Sequence, residues 1–160
     1  MRNENEKYSE WINKLYRRAH REQTKYRKQL IEQKPADILF SAEKYVIREK
    51  ILKELCYAID GRNHFPQAIT IPASQLTALL RSRTPLADIC EEFFSDTELY
   101  GESDVRRNIQ SSILNCGNDI LRQEFLERKR KCDFSYHDDR SILTDDEFDE
   151  LYYDELEDIY

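Results

Sequence analysis

The chain has 160 residues, 39% of them hydrophobic and 36% charged, with 32 acids, 25 bases and a net charge of −7. That length suits one domain, or one domain with an appendage, and 3 glycines with 4 prolines are too few for the many turns of an all-β fold. No apolar run approaches the roughly 20 residues that span a bilayer, and the polar first residues carry no secretory leader, so a cytoplasmic protein is expected.

The apolar residues Tyr8, Trp11, Ile12, Leu15, Tyr16, Ala19, Tyr26, Leu30 and Ile31 recur at steps of three and four. They predict a long helix from about Asn5 to Gln33. The stripe thins between Ala19 and Tyr26, where the expectation is a bend, or a first half projecting from the body. Seven bases crowd the same helix: Lys14, Arg17, Arg18, Arg21, Lys25, Arg27 and Lys28. They are expected on its outer face.

Pro35 ends that helix and suits the first turn of the next, which should reach about Ile59. Its apolar residues, Ile38 and Leu39 through Leu55 and Ile59, spread widely enough to predict a central helix buried on more than one side. Residues 60–66 read as a loop by composition. Ala68 to Ile71 has extended character, but one short run makes no sheet. Ser74 is the expected cap of a short helix through Leu80. Thr84-Pro85 gives a cap and a proline at the first helical position, with Leu86, Ile89, Cys90, Phe93 and Phe94 as the apolar face.

Beyond Gly101, Ser103 can cap a further helix carrying Val105, Ile109, Ile113 and Leu114. Cys116-Gly117-Asn118-Asp119 is expected to interrupt it, with Gly117 as terminator. Ile120 to Leu126 continue to the basic end Arg128 to Lys131, where cations oppose the negative end of a helix dipole. The expected fold is a compact all-α bundle of about five or six helices over residues 1–132. Residues 133–160 then form a linker and an acidic amphipathic C-terminal helix.

The charge is unevenly placed. Eleven of the 32 acids and one of the 25 bases fall in residues 138–160, so residues 1–137 hold 21 acids and 24 bases. Thr144 and Glu147 read as a capping box, and Phe148, Leu151, Tyr152, Leu156, Ile159 and Tyr160 are then expected on one face. Asp145, Asp146, Glu147, Asp149, Glu150, Asp154, Glu155, Glu157 and Asp158 supply the candidate partner-binding charge. Three readings follow: a last helix packed on the body, a recognition helix whose acids imitate phosphates, or a disordered solubilising tail. The second gains from the acids of the final turns, which each cost roughly 0.3–1 kcal/mol beside the helix C-terminus; helix stability alone does not place them there.

Three runs resemble a known family: Tyr26 to Leu30 with Lys34 to Leu39; Ala42 to Glu49 through Leu52; and Leu79 to Ile89, which contains Pro85-Leu86-Ala87-Asp88. Over residues 22–114 the chain is similar to the all-helical domains of unknown function from Gram-positive gut bacteria and their phages and mobile elements. The resemblance implies an all-α fold and a mobile-element setting, with no catalytic residue to carry over.

No catalytic set stands out. Cys56, Cys90, Cys116 and Cys132 include no short-spaced pair, so free buried thiols are expected rather than a metal site. His137-Asp138-Asp139 lacks further ligands, Glu91-Glu92 reads as a solvated helix face, and no phosphate loop or nucleophile motif occurs. The expectation is a non-enzyme that needs no cofactor or metal and binds a basic protein. The specific form is an anti-CRISPR protein that inhibits a CRISPR nuclease by mimicking nucleic acid. The alternative is a nucleic-acid-binding regulator acting through the basic N-terminal helix.

Overall fold

The computed structural model describes residues 3–61, 67–96 and 105–131. Within them the chain is all-α: α1 (Glu4–Glu32), α2 (Pro35–Asp60), α3 (Ala73–Arg81), α4 (Pro85–Asp96) and α5 (Val105–Lys131). No strand occurs among the described residues, and Ala68 to Ile71 is irregular. Pro35 and Pro85 each occupy the first turn of a helix, where a missing N–H costs nothing and the fixed φ is already helical. Gly61 ends α2 at φ 77, its N–H donating to the Tyr57 carbonyl at 3.1 Å. Only glycine takes that left-handed region without steric cost.

A two-residue connection folds α1 and α2 into an antiparallel pair. The Tyr26 hydroxyl donates to the Ser41 carbonyl (3.3 Å), and the Gln23 amide reaches the Tyr45 carbonyl (3.3 Å) and the Glu49 carboxylate (2.9 Å). One side of the pair packs on α3, α4 and α5. The core is built from Ile12, Leu15 and Ala19 of α1, Ile51 and Leu55 of α2, Leu76 to Leu80 of α3, Leu86 and Ile89 of α4, and Ile109 and Ile113 of α5. α3 and α5 run parallel, since Gln75 pairs with Asn118 (2.8 Å) and Arg81 with Glu124 (2.7 and 2.9 Å) at the same offset of 43 residues.

Four expectations are corrected. α1 is unbroken, and its first half lies on the core, with Ile12 and Leu15 buried. α3 begins at Ala73 with Pro72 as its flanking residue, and Ser74 makes no cap. α2 is not buried on several sides throughout, because Leu39 is 78% and Val46 48% exposed. Lastly, α5 runs straight through Gly117, which terminates nothing. An added Cβ there would stand 2.9 Å from the Gln75 Cβ and 3.2 Å from the Gln75 carbonyl oxygen. The glycine is a contact surface that lets α3 approach the α5 backbone; a terminator and a contact glycine look alike in sequence because both merely lack a side chain.

Candidate functional site

Arg18 does not belong to the outer face. It is 2% exposed, and its Nη1 donates to the Leu80 carbonyl at 2.6 Å, in the last turn of α3. One turn further along α1, the buried Glu22 accepts the Leu86 N–H at 3.0 Å and the Ala87 N–H at 3.1 Å. Those amides lie in the first turn of α4 and have no partner within that helix. A cation therefore meets a helix C-terminus and a carboxyl group meets a helix N-terminus, as the dipoles favour. Two side chains of α1 thus pin the α3–α4 corner. Sequence reasoning missed Glu22. Its signal was its position among Leu15, Ala19 and Gln23, inside the apolar arc of the helix.

Burial pushes the Glu22 carboxyl up to about 7, against the pull of the Leu86 and Ala87 amides and the Arg48 guanidinium, with Asp88 adding to the rise. Arg48, also buried, donates to Gln23 Oε1 at 2.9 Å and to the Glu22 carbonyl at 3.5 Å, and lies 4.2 Å from the Tyr26 ring centroid. Both groups are buried, Glu22 at 5% and Arg48 at 8% exposure, so they serve the packing of the body. Cys90 and Cys116 are buried free thiols and Cys56 is half-buried. Burial raises the Cys90 thiol, and burial together with nearby acids raises Cys116 to about 12; neither suits a nucleophile.

The remaining bases of α1 separate into two faces. Lys14, Arg17, Arg21, Lys25 and Lys28 recur at three, four, four and three residues and so form one stripe. Arg17, Arg21 and Lys28 are exposed, while Lys14 and Lys25 are half-buried. Arg27 lies apart, on the side of α1 that turns toward α2 away from the core. There the two helices leave an open groove of about 650 Å³. Tyr16 of α1 and Tyr45, Val46, Leu52 and Cys56 of α2 line it with apolar surface. Arg27, Lys50 and Lys53 stand exposed around it.

The acidic candidates Asp145, Asp146, Glu147, Asp149, Glu150, Asp154, Glu155, Glu157 and Asp158 lie outside the described residues, as do the linker, Cys132, His64 and His137. Among the described residues no group of three or more His, Cys, Asp or Glu is placed to hold a metal ion, and no helix is long and apolar enough to cross a membrane.

A family model described as "Protein of unknown function (DUF3848)" matches residues 11–121. The chain belongs to that family. The match is wider than the resemblance over residues 22–114 and runs from α1 into α5. It takes in Arg18, Glu22, Gly117 and the whole α1–α2 groove, and it stops before the acidic segment. No curated protein and no solved structure matches the chain. The DUF3848 region thus corresponds to the packed body, and residues 122–160 add to it the end of α5 and the acidic stretch.

Proposed function

We propose that this DUF3848 protein is a non-enzymatic binding protein that inhibits a nucleic-acid-handling protein by presenting its acidic segment as a phosphate mimic. A CRISPR nuclease is the proposed target, which makes the chain an anti-CRISPR protein from a phage or other mobile element, acting in the cytoplasm. One observation carries the reading: eleven acids and a single base in residues 138–160, on a body of opposite charge balance. Dense carboxylates compete with polynucleotide for cationic grooves and speed encounter with them. The test uses the full chain with Asp146, Glu150, Asp154 and Glu157 changed to the matching amides. Wild type should block target-DNA binding by a guide-loaded CRISPR nuclease, with inhibition falling as salt rises. Undiminished inhibition by the amide variant would remove the acids from the mechanism.

A second reading rests on the five-base stripe of α1. Lys14, Arg17, Arg21, Lys25 and Lys28 extend over about four turns, roughly 21 Å of helix, a spacing suited to contacts with successive phosphates. A regulator of this kind shifts DNA or RNA in a gel at low salt, and Arg17→Glu with Arg21→Glu abolishes the shift. The absence of any shift at low salt ends this reading.

A further inference from the structure

We propose that the α1–α2 groove and a hollow beside it bind single-stranded nucleic acid, with Lys50 and Lys53 holding the backbone between the two recesses. This goes beyond both readings above: it makes no use of the acidic segment, and its cations lie on a different face from the α1 stripe. Lys50 and Lys53 border the groove on one side. On the other they border a second open hollow, of about 360 Å³, between α2 and α5. Three residues apart on α2, they stand about one turn from each other, and both are exposed. Arg27 stands on the α1 side of the groove and Arg106 on the α5 side of the second hollow.

The charge of this surface is opposite in sign to that of the whole chain. Its lining holds four bases, Arg27, Lys50, Lys53 and Arg106, and two acids, Glu49 and Glu54. Glu54 is 4% exposed and bonded to Arg106 at 2.6 Å and to Gln110 at 3.1 Å. Glu49 accepts from Gln23 at 2.9 Å. The Tyr57 ring has Lys53 Nζ at 5.8 Å and Arg106 Cζ at 5.4 Å from its centroid, an attraction that keeps both cations beside the second hollow. Between the cations the surface is apolar and partly aromatic, through Tyr16, Tyr45 and Val46 on one side and Tyr57, Val105 and Ile109 on the other. A row of cations attracts any polyanion. Recesses on both sides of it favour a polyanion whose flat groups can swing away from the backbone and lie against rings. A single strand has such groups, whereas a duplex keeps its bases in its own stack. A rigid acidic helix would fill one recess and be held off the other by the α2 ridge. At about 650 and 360 Å³, both recesses fall within the roughly 300–1,000 Å³ of sites that enclose small organic groups.

Fluorescence anisotropy of the full chain with labelled oligothymidylate and oligouridylate, each of about fifteen nucleotides, tests the proposal. At low salt each should bind at least about tenfold more tightly than a duplex of the same length. Lys50→Ala with Lys53→Ala should weaken binding about tenfold or more, and should flatten the slope of log K against log salt by about 0.7 per lysine. Tyr45→Leu removes a ring and no charge; it should weaken binding about fivefold and leave the salt slope unchanged. Arg83→Ala with Arg122→Ala, exposed bases that line neither recess, should stay within about twofold of wild type. Circular dichroism and the urea midpoint verify that each variant is folded. No binding at low salt, or equal binding of the duplex, overturns the proposal. So does displacement of the oligonucleotide by poly-glutamate at equal charge, which would make the surface a dock for an acidic protein. Binding lost in Arg17→Glu with Arg21→Glu but kept in the Lys50 and Lys53 variant overturns the groove in favour of the α1 stripe, so the two sites fail separately.

Discussion

Gly117→Ala separates helix propensity from packing. In a helix interior, alanine is favoured over glycine by about 0.8–1.0 kcal/mol, and propensity alone therefore makes this a stabilising change. The structure reverses the sign. The new methyl would meet Gln75 Cβ at 2.9 Å, Gln75 O at 3.2 Å and Gln75 Cα at 3.3 Å, against an ordinary carbon–carbon spacing of about 3.5–4.0 Å. Two of those atoms are backbone, and Cβ cannot rotate away, so α3 must retreat by roughly 0.6–1 Å, a gap that already forfeits a quarter to a half of each affected contact. The retreat loosens Leu76, Leu79 and Leu80, all fully buried, and strains the Gln75–Asn118 and Arg81–Glu124 pairs that hold α3 to α5. Overpacking of this kind costs about 1–3 kcal/mol, leaving a net loss of roughly 0–2 kcal/mol after the propensity gain. Urea unfolding followed by circular dichroism should show a lower midpoint with an unchanged slope. Gln123→Ala, exposed on the same helix, should stay within about 0.5 kcal/mol of wild type. A Gly117→Ala protein stabilised by the full propensity gain of about 0.8–1.0 kcal/mol refutes the close approach of α3 and α5.

Arg18→Met keeps the side-chain stem but leaves the Leu80 carbonyl without its donor, and thermal unfolding should show a loss of about 1–3 kcal/mol. Arg17→Met, on the exposed face, should change stability by less than about 0.5 kcal/mol; equal effects would return Arg18 to the surface. Glu22 predicts a pH dependence. Its folded carboxyl, raised from 4.5 to about 7, keeps a proton that the unfolded chain has lost, so its contribution is fully present below about pH 4.5 and disappears as pH rises through 7. The full shift corresponds to about 3 kcal/mol, and the difference in urea midpoint between pH 5 and pH 8 should shrink in Glu22→Gln; an identical pH slope refutes the assignment. Cys90 and Cys116 should resist iodoacetamide at pH 8 until the chain unfolds, as read by peptide mass spectrometry, and rapid labelling of the folded protein would contradict their burial.

Much of this fold is legible locally. The steps of three and four residues gave the helices; Pro35 and Pro85 gave two starts and the loop composition of residues 60–66 one end, because periodicity and φ restrictions act within a few residues of chain. Residues 138–160 likewise declare their charge without any neighbour. Arg18, Glu22 and Gly117 could not be placed that way. A charged residue at the edge of an apolar arc is solvated or buried according to what lies across from it, and here that is the corner where α3 ends and α4 begins. A glycine ends a helix or admits a neighbour according to whether another helix approaches. The groove between α1 and α2 is tertiary for the same reason: its floor and rim come from residues on separate helices, and only their antiparallel packing makes one surface of them. Local sequence fixes which face a side chain leaves its own helix from, whereas the energy of burying a charge or a methyl depends on the partner that the rest of the chain brings there.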